Sequence, residues 1–323
     1  MLKTVLPLCA RYRSALLPSL VFVGLWVGLL SFMFDEGASL GVFVWWNLLC
    51  AVSGLNILAW RLVADKLAHS ELHGDPVISS FKRWQFGLCT AFVLGCAFRS
   101  AFPRADVQRL SLFDTWLSSV FVGRSVATVA ELCFAAQWAL WLRQYGRASS
   151  SRVAIAVSWF LVPIIVVAEV CSWYGVLTTA YVGNMIEESI WTLAAALIVV
   201  SCLTFWRRCG PVGRAYLAAI IVGGAAYVVF MCVVDVPMYA ARWLLDETNG
   251  RSYLSLGHGL WEASSQWTVS HSWDQWRAEI PWMSLYFSVG VWSSISLVHA
   301  TEFTSNRIRM HRSGEAPPAQ IAV

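Results

Sequence analysis

Residues 153–175 read VAIAVSWFLVPIIVVAEVCSWYG, with one ionisable side chain, Glu169, in the whole stretch. At 1.5 Å per residue a helix of this length crosses a hydrocarbon core of about 30 Å. A core helix of a soluble protein would keep one polar face, and this stretch has none. Comparable runs fall at about 15–34, 39–60, 84–102, 116–142, 185–206, 215–239 and 282–300. The expected fold is therefore all-α: a polytopic transmembrane helix bundle of about eight spans, a single domain over 1–306. The tail 307–323, with Pro317 and Pro318, reads as disordered and cytoplasmic.

Composition agrees. The chain is 58% hydrophobic and 13% charged, about half the charged fraction of an ordinary soluble domain. The net charge of +4 comes from basic residues in short groups between apolar runs, so nucleic-acid binding gains no support. Cys50, Cys89, Cys96, Cys133, Cys171, Cys202 and Cys232 stand singly in apolar runs, and buried, inert thiols are expected rather than a disulfide or zinc framework. Lys3, Arg11 and Arg13 precede the first run as in a signal peptide. That run continues to about Phe34 and ends in Asp35-Glu36-Gly37, so it reads as a retained first span.

The connections sort by charge. One alternating set holds Lys3, Arg11, Arg13, Arg61, Lys66, Lys82, Arg83, Arg143, Arg147, Arg152, Arg207, Arg208, Arg214, Arg307, Arg309 and Arg312; the other holds Arg99, Arg104, Arg109, Arg242, Arg251 and Arg277. Sixteen against six places both termini in the cytoplasm, and a plasma or inner membrane is the expected location. The cytoplasmic segment 61–83 carries Asp65, His69 and His73 at i, i+4 spacing, read as a solvated juxtamembrane helix rather than a metal site. The outer segment 243–281 contains Trp243, Trp261, Trp267, Trp273 and Trp276. Ser272 with Gln275 suggests a capping box for a short helix whose Trp273, Trp276 and Ile280 share a face, ended by Pro281. Such a Trp-rich loop forms a lid at the interface, and ring anchoring there accounts for much of the tryptophan content.

Ionisable groups inside a span are costly unless paired or wet. Those of this chain gather in the outer halves or the middle of the spans: Arg99, Arg124, Glu131, Glu169, Glu187, Glu188 and Asp235. The inner halves hold little beyond Gln137 and His299. Arg124, Thr128 and Glu131 share a face of span four. Arg124 and Glu131 are separated by about 10 Å along the axis, so each is expected to pair with another helix. Glu187 and Glu188 point about 100° apart, one toward a cavity and the other capping the helix; Glu188 is taken as the site member. Small residues at Gly123, Ala127 and Ala130, and at Gly223, Gly224, Ala225 and Ala226, suggest close backbone approach. Two arginines against five carboxylates exceeds what an ion-pair network for packing requires, and points to shared protons, bound cations or water.

The candidate ligand-binding residues are thus Arg99, Arg124, Glu131, Glu169, Glu188 and Asp235. No lysine lies within a late span for a retinal, no histidine pair for a haem, and GxSxG, HExxH and phosphate-loop motifs are missing, so no cofactor or metal is expected. Three function classes fit: a small-solute or proton- or cation-coupled transporter or binding protein; an intramembrane enzyme acting on a lipid-linked substrate at the outer leaflet; and a structural subunit of a membrane assembly. In the first, Glu131, Glu169 and Asp235 hold the proton or cation and Arg124 orients an anionic group. In the second, Glu131 or Glu169 is the general base while Arg99 and Arg124 bind an oxyanion. The expected partners are the bilayer and a small-molecule, cation or lipid substrate; oligomeric state is left open.

Overall fold

The computed structural model describes residues 2–35, 37–70 and 76–300. His73 and the tail 307–323 lie outside them, as does the side chain of His69; Asp65 pairs with Arg61 at 3.1 Å, one turn away. The helices are α1 (Leu2–Asp35), α2 (Leu40–Ser70), α3 (Pro76–Ala101), α4 (Val120–Ala148), α5 (Arg152–Thr178), α6 (Tyr181–Phe205), α7 (Pro211–Phe230), α8 (Val236–Thr248), α9 (Leu256–Ser265), α10 (Trp273–Trp276) and α11 (Ile280–Leu285), with α12 over 291–300. A π-helical turn, Met231–Asp235, joins α7 to α8, and a second, Tyr286–Gly290, joins α11 to α12. A helix therefore stands in each of the eight expected places. Leu40–Ala68, Val120–Ala148, Arg152–Thr178, Tyr181–Arg208 and the continuous Pro211–Thr248 are each long and apolar enough to cross a membrane.

The chain is an all-α, membrane-embedded bundle. Its surface shows why: Val222, Val229 and Val233 of the α7–π stretch are 61–69% exposed, and only 11% of the most apolar window of Pro211–Thr248 is buried. Such a face would be an aggregation liability in water and is ordinary against lipid. The seven cysteines expected to be buried divide: Cys50, Cys89, Cys96 and Cys202 are buried, Cys133 and Cys171 partly so, and Cys232 is exposed on this same outward face. No disulfide links the described cysteines.

The π turn explains how the seventh helix outruns its expected end at 239. A proline inside a helix crowds the carbonyl four residues earlier. Here Pro237 follows Met231–Asp235, where the wider turn absorbs that crowding, and the helix runs on to Thr248. The outer connection consequently starts at 249 rather than 243. Pro281 does not end the short Trp-bearing helix either; it stands in the first turn of α11, where its missing N–H costs nothing. The expected capping box is absent, because Ser272 precedes α10 without a side-chain cap bond.

Unforeseen from the sequence is a small sheet. Arg104–Ala105 (β1) pairs antiparallel with Leu110–Ser111 (β2), which pairs parallel with Thr268–Val269 (β3). It ties the α3–α4 connection to the α8–α11 connection, so both lie at one end of the bundle, as the alternation of basic loops requires. Trp276 is fully buried beside Trp45, ring centroids 5.7 Å apart, and its indole N–H donates to the Ser270 carbonyl at 2.7 Å. Gly259 of α9 lies so close to the end of α5 that a Cβ there would stand 1.8 Å from the Leu177 carbonyl oxygen. The Trp-rich segment is thus a packed cap over α2, α4 and α5.

Two polar side chains away from that end are satisfied by neighbouring helices. Gln137 of α4 donates to the Gln85 and Ser294 carbonyls and accepts from the Ser294 hydroxyl, joining α3, α4 and α12. Asn56 of α2 donates to the Phe287 carbonyl in the second π turn at 2.9 Å and accepts from the Trp292 indole N–H at 2.9 Å. Each bond answers a backbone or side-chain group that hydrocarbon could not.

Candidate functional site

Arg124 organises the charged end. Its Nη2 lies 2.8 Å from Glu131 Oε2, 2.8 Å from Glu169 Oε2 and 3.3 Å from Glu187 Oε1. All four side chains are at most 7% exposed. The direct pair of Arg124 with Glu131 corrects the sequence expectation. Axial rise separates the Cα atoms, but Glu131 leans back toward the helix N-terminus and the long arginine extends to meet it.

Neighbouring helices complete the cluster. Thr128 donates to Glu169 Oε2 at 2.6 Å and accepts from the Trp173 indole N–H at 3.0 Å. Tyr286 donates to Glu131 Oε1 at 3.0 Å, and Asn184 to Glu187 Oε2 at 3.2 Å. Glu169 Oε1 is buried without a hydrogen-bond partner. The ligand atoms of Glu131, Glu169 and Glu187 lie within 4.8 Å of one another, close enough to hold a metal ion. Arg124 Nη2, within 3.3 Å of all three, stands where such an ion would sit.

Glu187 was excluded from the sequence-derived site and belongs in the cluster. Helix α6 begins at Tyr181, with Ala180 before it and no side-chain cap. Both glutamates therefore stand well inside the helix and neither caps it; both line the cavity described next. The small residues of α7 divide. A Cβ on Gly223 would meet nothing within 4 Å, and one on Gly224 only the Val199 side chain. Gly223 thus faces open space, whereas Gly224 sits where α7 comes close to Val199 of α6. In α4, by contrast, Ala130 packs against Gly95 of α3 as expected.

A cavity of about 680 Å³ runs from the charged cluster into the bundle. At the sheet-bearing end its wall carries Arg99, Arg104, Arg124, Glu131, Glu187, Glu188, Asp235 and Glu279. Away from that end it is lined by Trp138, Leu161, Ile165, Ile198, Val199, Ile220 and Gly224, with Ser293 and Ser296 of α12. Along α6 the step from Glu187 to Val199 is about 18 Å, rather more than one leaflet's share of a core of about 30 Å. Tyr227 of α7, with Leu285 and Val289 of the last helical segment, line the cavity and are 37–47% exposed, marking the seam between the two.

Five of the six expected site residues, Arg99, Arg124, Glu131, Glu188 and Asp235, line this one cavity. Glu169 adjoins it through Arg124. Their states differ. Glu188 and Asp235 make no hydrogen bond or ion pair with a described side chain, whereas Glu131, Glu169 and Glu187 are engaged with Arg124. Arg99 approaches Glu131 only to 3.8 Å and lies over the Trp282, Tyr286 and Phe287 rings at 5.6–5.9 Å.

Sequence reasoning missed two further groups because both lie in connections. Glu279 is buried, bound by Arg242 through both terminal nitrogens at 3.1 Å and by the Trp282 indole N–H at 2.7 Å. Arg104 of β1 is 1% exposed, donates Nη1 to the Ser119 carbonyl at 3.2 Å, and pairs with Asp106 at 3.2 Å. Burial lowers its pKa to about 10, with Asp106 opposing, which still leaves the guanidinium charged at neutral pH. No family model, curated protein or solved structure matches this chain. Its function is argued from the cavity alone.

Proposed function

We propose that the chain is an intramembrane enzyme or binding protein for an amphiphilic, lipid-linked substrate, with the polar group at the sheet-bearing end and the hydrocarbon chain in the apolar chamber. The observation that carries this reading is the one-sided distribution of charge in a single cavity of about 680 Å³, within the size range of small-molecule sites. A small polar solute has no use for an apolar chamber about 18 Å deep. The seam beside Tyr227 and Val289 offers lateral entry from the bilayer. Glu188 and Asp235, without a hydrogen bond or ion pair among the described side chains, are the groups available to accept a proton from a hydroxyl or amine of the substrate. The excess of Lys and Arg on the other set of loops supports cytoplasmic termini, with the charged end toward the outer leaflet of a plasma or inner membrane.

Filling the chamber tests this directly. Gly224→Leu puts a branched side chain into space where a Cβ already comes 2.7 Å from Val199 Cγ2. Native mass spectrometry of protein extracted in mild detergent should show a bound lipid on the parent and at least a tenfold lower occupancy on the variant, both remaining monodisperse. Equal occupancy in the two would remove the proposal.

A second reading, proton-coupled transport, draws on the arrangement around Arg124, where one guanidinium faces three carboxylates and the surplus charge calls for a shared proton. Glu131 and Glu169 would carry that proton, and Glu131→Gln would abolish uptake. The two readings part on the fate of the substrate: a transporter returns it unchanged, and an enzyme incubated with a lipid extract yields a new species.

A further inference from the structure

Three polar side chains in the cavity wall keep their oxygens unengaged: Glu188 of α6, Asp235 of the first π turn and Tyr239 of α8. None makes a hydrogen bond or ion pair with a described side chain. Asp235 is 5% exposed and Tyr239 8%, and a buried polar group without a partner is a rare feature of native structures. Asp235 and Tyr239 stand one helical turn apart and so share a face. Helix α6 packs against both the π turn and α8, which brings Glu188 to the same end of the cavity.

The charge of the missing partner follows from the neighbours. Arg124 is engaged by Glu131, Glu169 and Glu187. Arg242 is committed to Glu279, Arg104 pairs with Asp106, and Arg99 approaches Glu131. Four arginines thus face five carboxylates before Glu188 and Asp235 are reached, and a wall so rich in acid calls for a cation. The demand is more specific than charge. An ammonium group has three N–H donors, and two carboxylates with a tyrosine oxygen supply three acceptors. The Tyr239 ring is held by the Tyr181 ring at 6.3 Å and by the Arg242 guanidinium at 5.7 Å, so its hydroxyl is the part still to be satisfied. Trp191, Tyr227 and Phe230 line the same cavity, and aromatic rings favour a bound cation.

We infer that Glu188, Asp235 and Tyr239 form an ammonium subsite at the charged end of the cavity, so that the amphiphile is a long-chain primary amine. This rests on the amphiphile reading above and names the headgroup. The arginines of the wall are committed to carboxylates, so a phosphate beside the amine would gain no partner. The hydrocarbon chain runs from the subsite into the apolar chamber toward Val199 and Gly224.

The test uses the full-length protein in phosphatidylcholine nanodiscs, with binding read against empty discs, and four probes: dodecylamine, dodecanol, dodecyltrimethylammonium and butylamine. Dodecylamine should bind about tenfold or more tightly than dodecanol, and by a similar factor more tightly than dodecyltrimethylammonium, which carries the charge without an N–H donor. Butylamine should not compete at millimolar concentration. Glu188→Gln and Asp235→Asn should each weaken dodecylamine by about tenfold or more while leaving dodecanol unchanged. Tyr239→Phe, which keeps the ring and removes the hydroxyl, should weaken dodecylamine by about fivefold. If one of the two carboxamide variants does not yield folded protein, the other carries the test. Equal affinity for dodecylamine and dodecanol, or dodecylamine binding insensitive to both carboxamide substitutions, overturns the subsite and leaves the amphiphile reading standing. Dodecyltrimethylammonium binding as tightly as dodecylamine overturns the assignment of a primary amine. Competition by butylamine overturns the lipid source of the amine. Binding of neither dodecylamine nor dodecanol overturns both readings.

Discussion

Replacing Arg124 with Leu is expected to lower stability by about 3–5 kcal/mol, the range seen when one partner of a buried ion pair is removed. The size of the effect follows from what is left behind. Glu131, Glu169 and Glu187 all converge on one guanidinium nitrogen at 2.8–3.3 Å, and all are buried. Without that nitrogen, three carboxyl groups share a buried site in which Thr128, Tyr286 and Asn184 donate to them. Combining Arg124→Leu with Glu169→Gln and Glu187→Gln should recover part of the loss, because two of the three charges that needed the arginine are gone. Thermal unfolding followed by size exclusion in detergent reads both variants. A single Arg124→Leu variant within about 0.5 kcal/mol of the parent, the ordinary range for a surface substitution, would show that the cluster does not hold the bundle together.

Gly183→Val is expected to cost at least about 3 kcal/mol, at the upper end for overpacking. Gly175 of α5 and Gly183 of α6 face each other beside the α5–α6 turn, where Thr179 takes a left-handed conformation at φ 61°. A Cβ on Gly183 would stand 2.5 Å from both the Cys171 carbonyl oxygen and the Gly175 nitrogen. These are backbone atoms and cannot rotate away, so the helices themselves must part. Asn184 and Glu187 follow in the same helix, so separation there also draws a carboxylate away from Arg124. Loss of folded protein for Gly183→Val, with a smaller loss for Gly183→Ala, is the expected pattern in the same unfolding assay. Parent-like stability for both would mean that the helix crossing is not close packed.

The bundle was readable because apolar length is a one-dimensional property: a run such as 153–175 needs no partner to be recognised. The one-sided charge was readable for the same reason, since position along a span follows from residue number. What depends on two segments meeting was not. Axial rise suggested that Arg124 and Glu131 are too far apart, and the reach of both side chains reversed that. Glu187 looks like a cap from the sequence because the apolar run suggests a start at 185, whereas α6 begins at Tyr181 and Glu187 stands inside it. Arg104 and Glu279 lie in connections without hydrophobic periodicity, and only the β1–β2–β3 sheet and the Arg242 contact bring them to the cavity. The glycines of α7 resembled a helix-packing motif; sequence cannot separate that from a chamber wall, since both require small residues.

The cavity's occupant is the centre of the account, and a density map of the full-length protein in lipid nanodiscs addresses it most directly. The expected map shows a continuous tube of lipid density beginning at the charged end beside Glu188 and Asp235 and reaching Val199. A chamber holding only water would contradict the account.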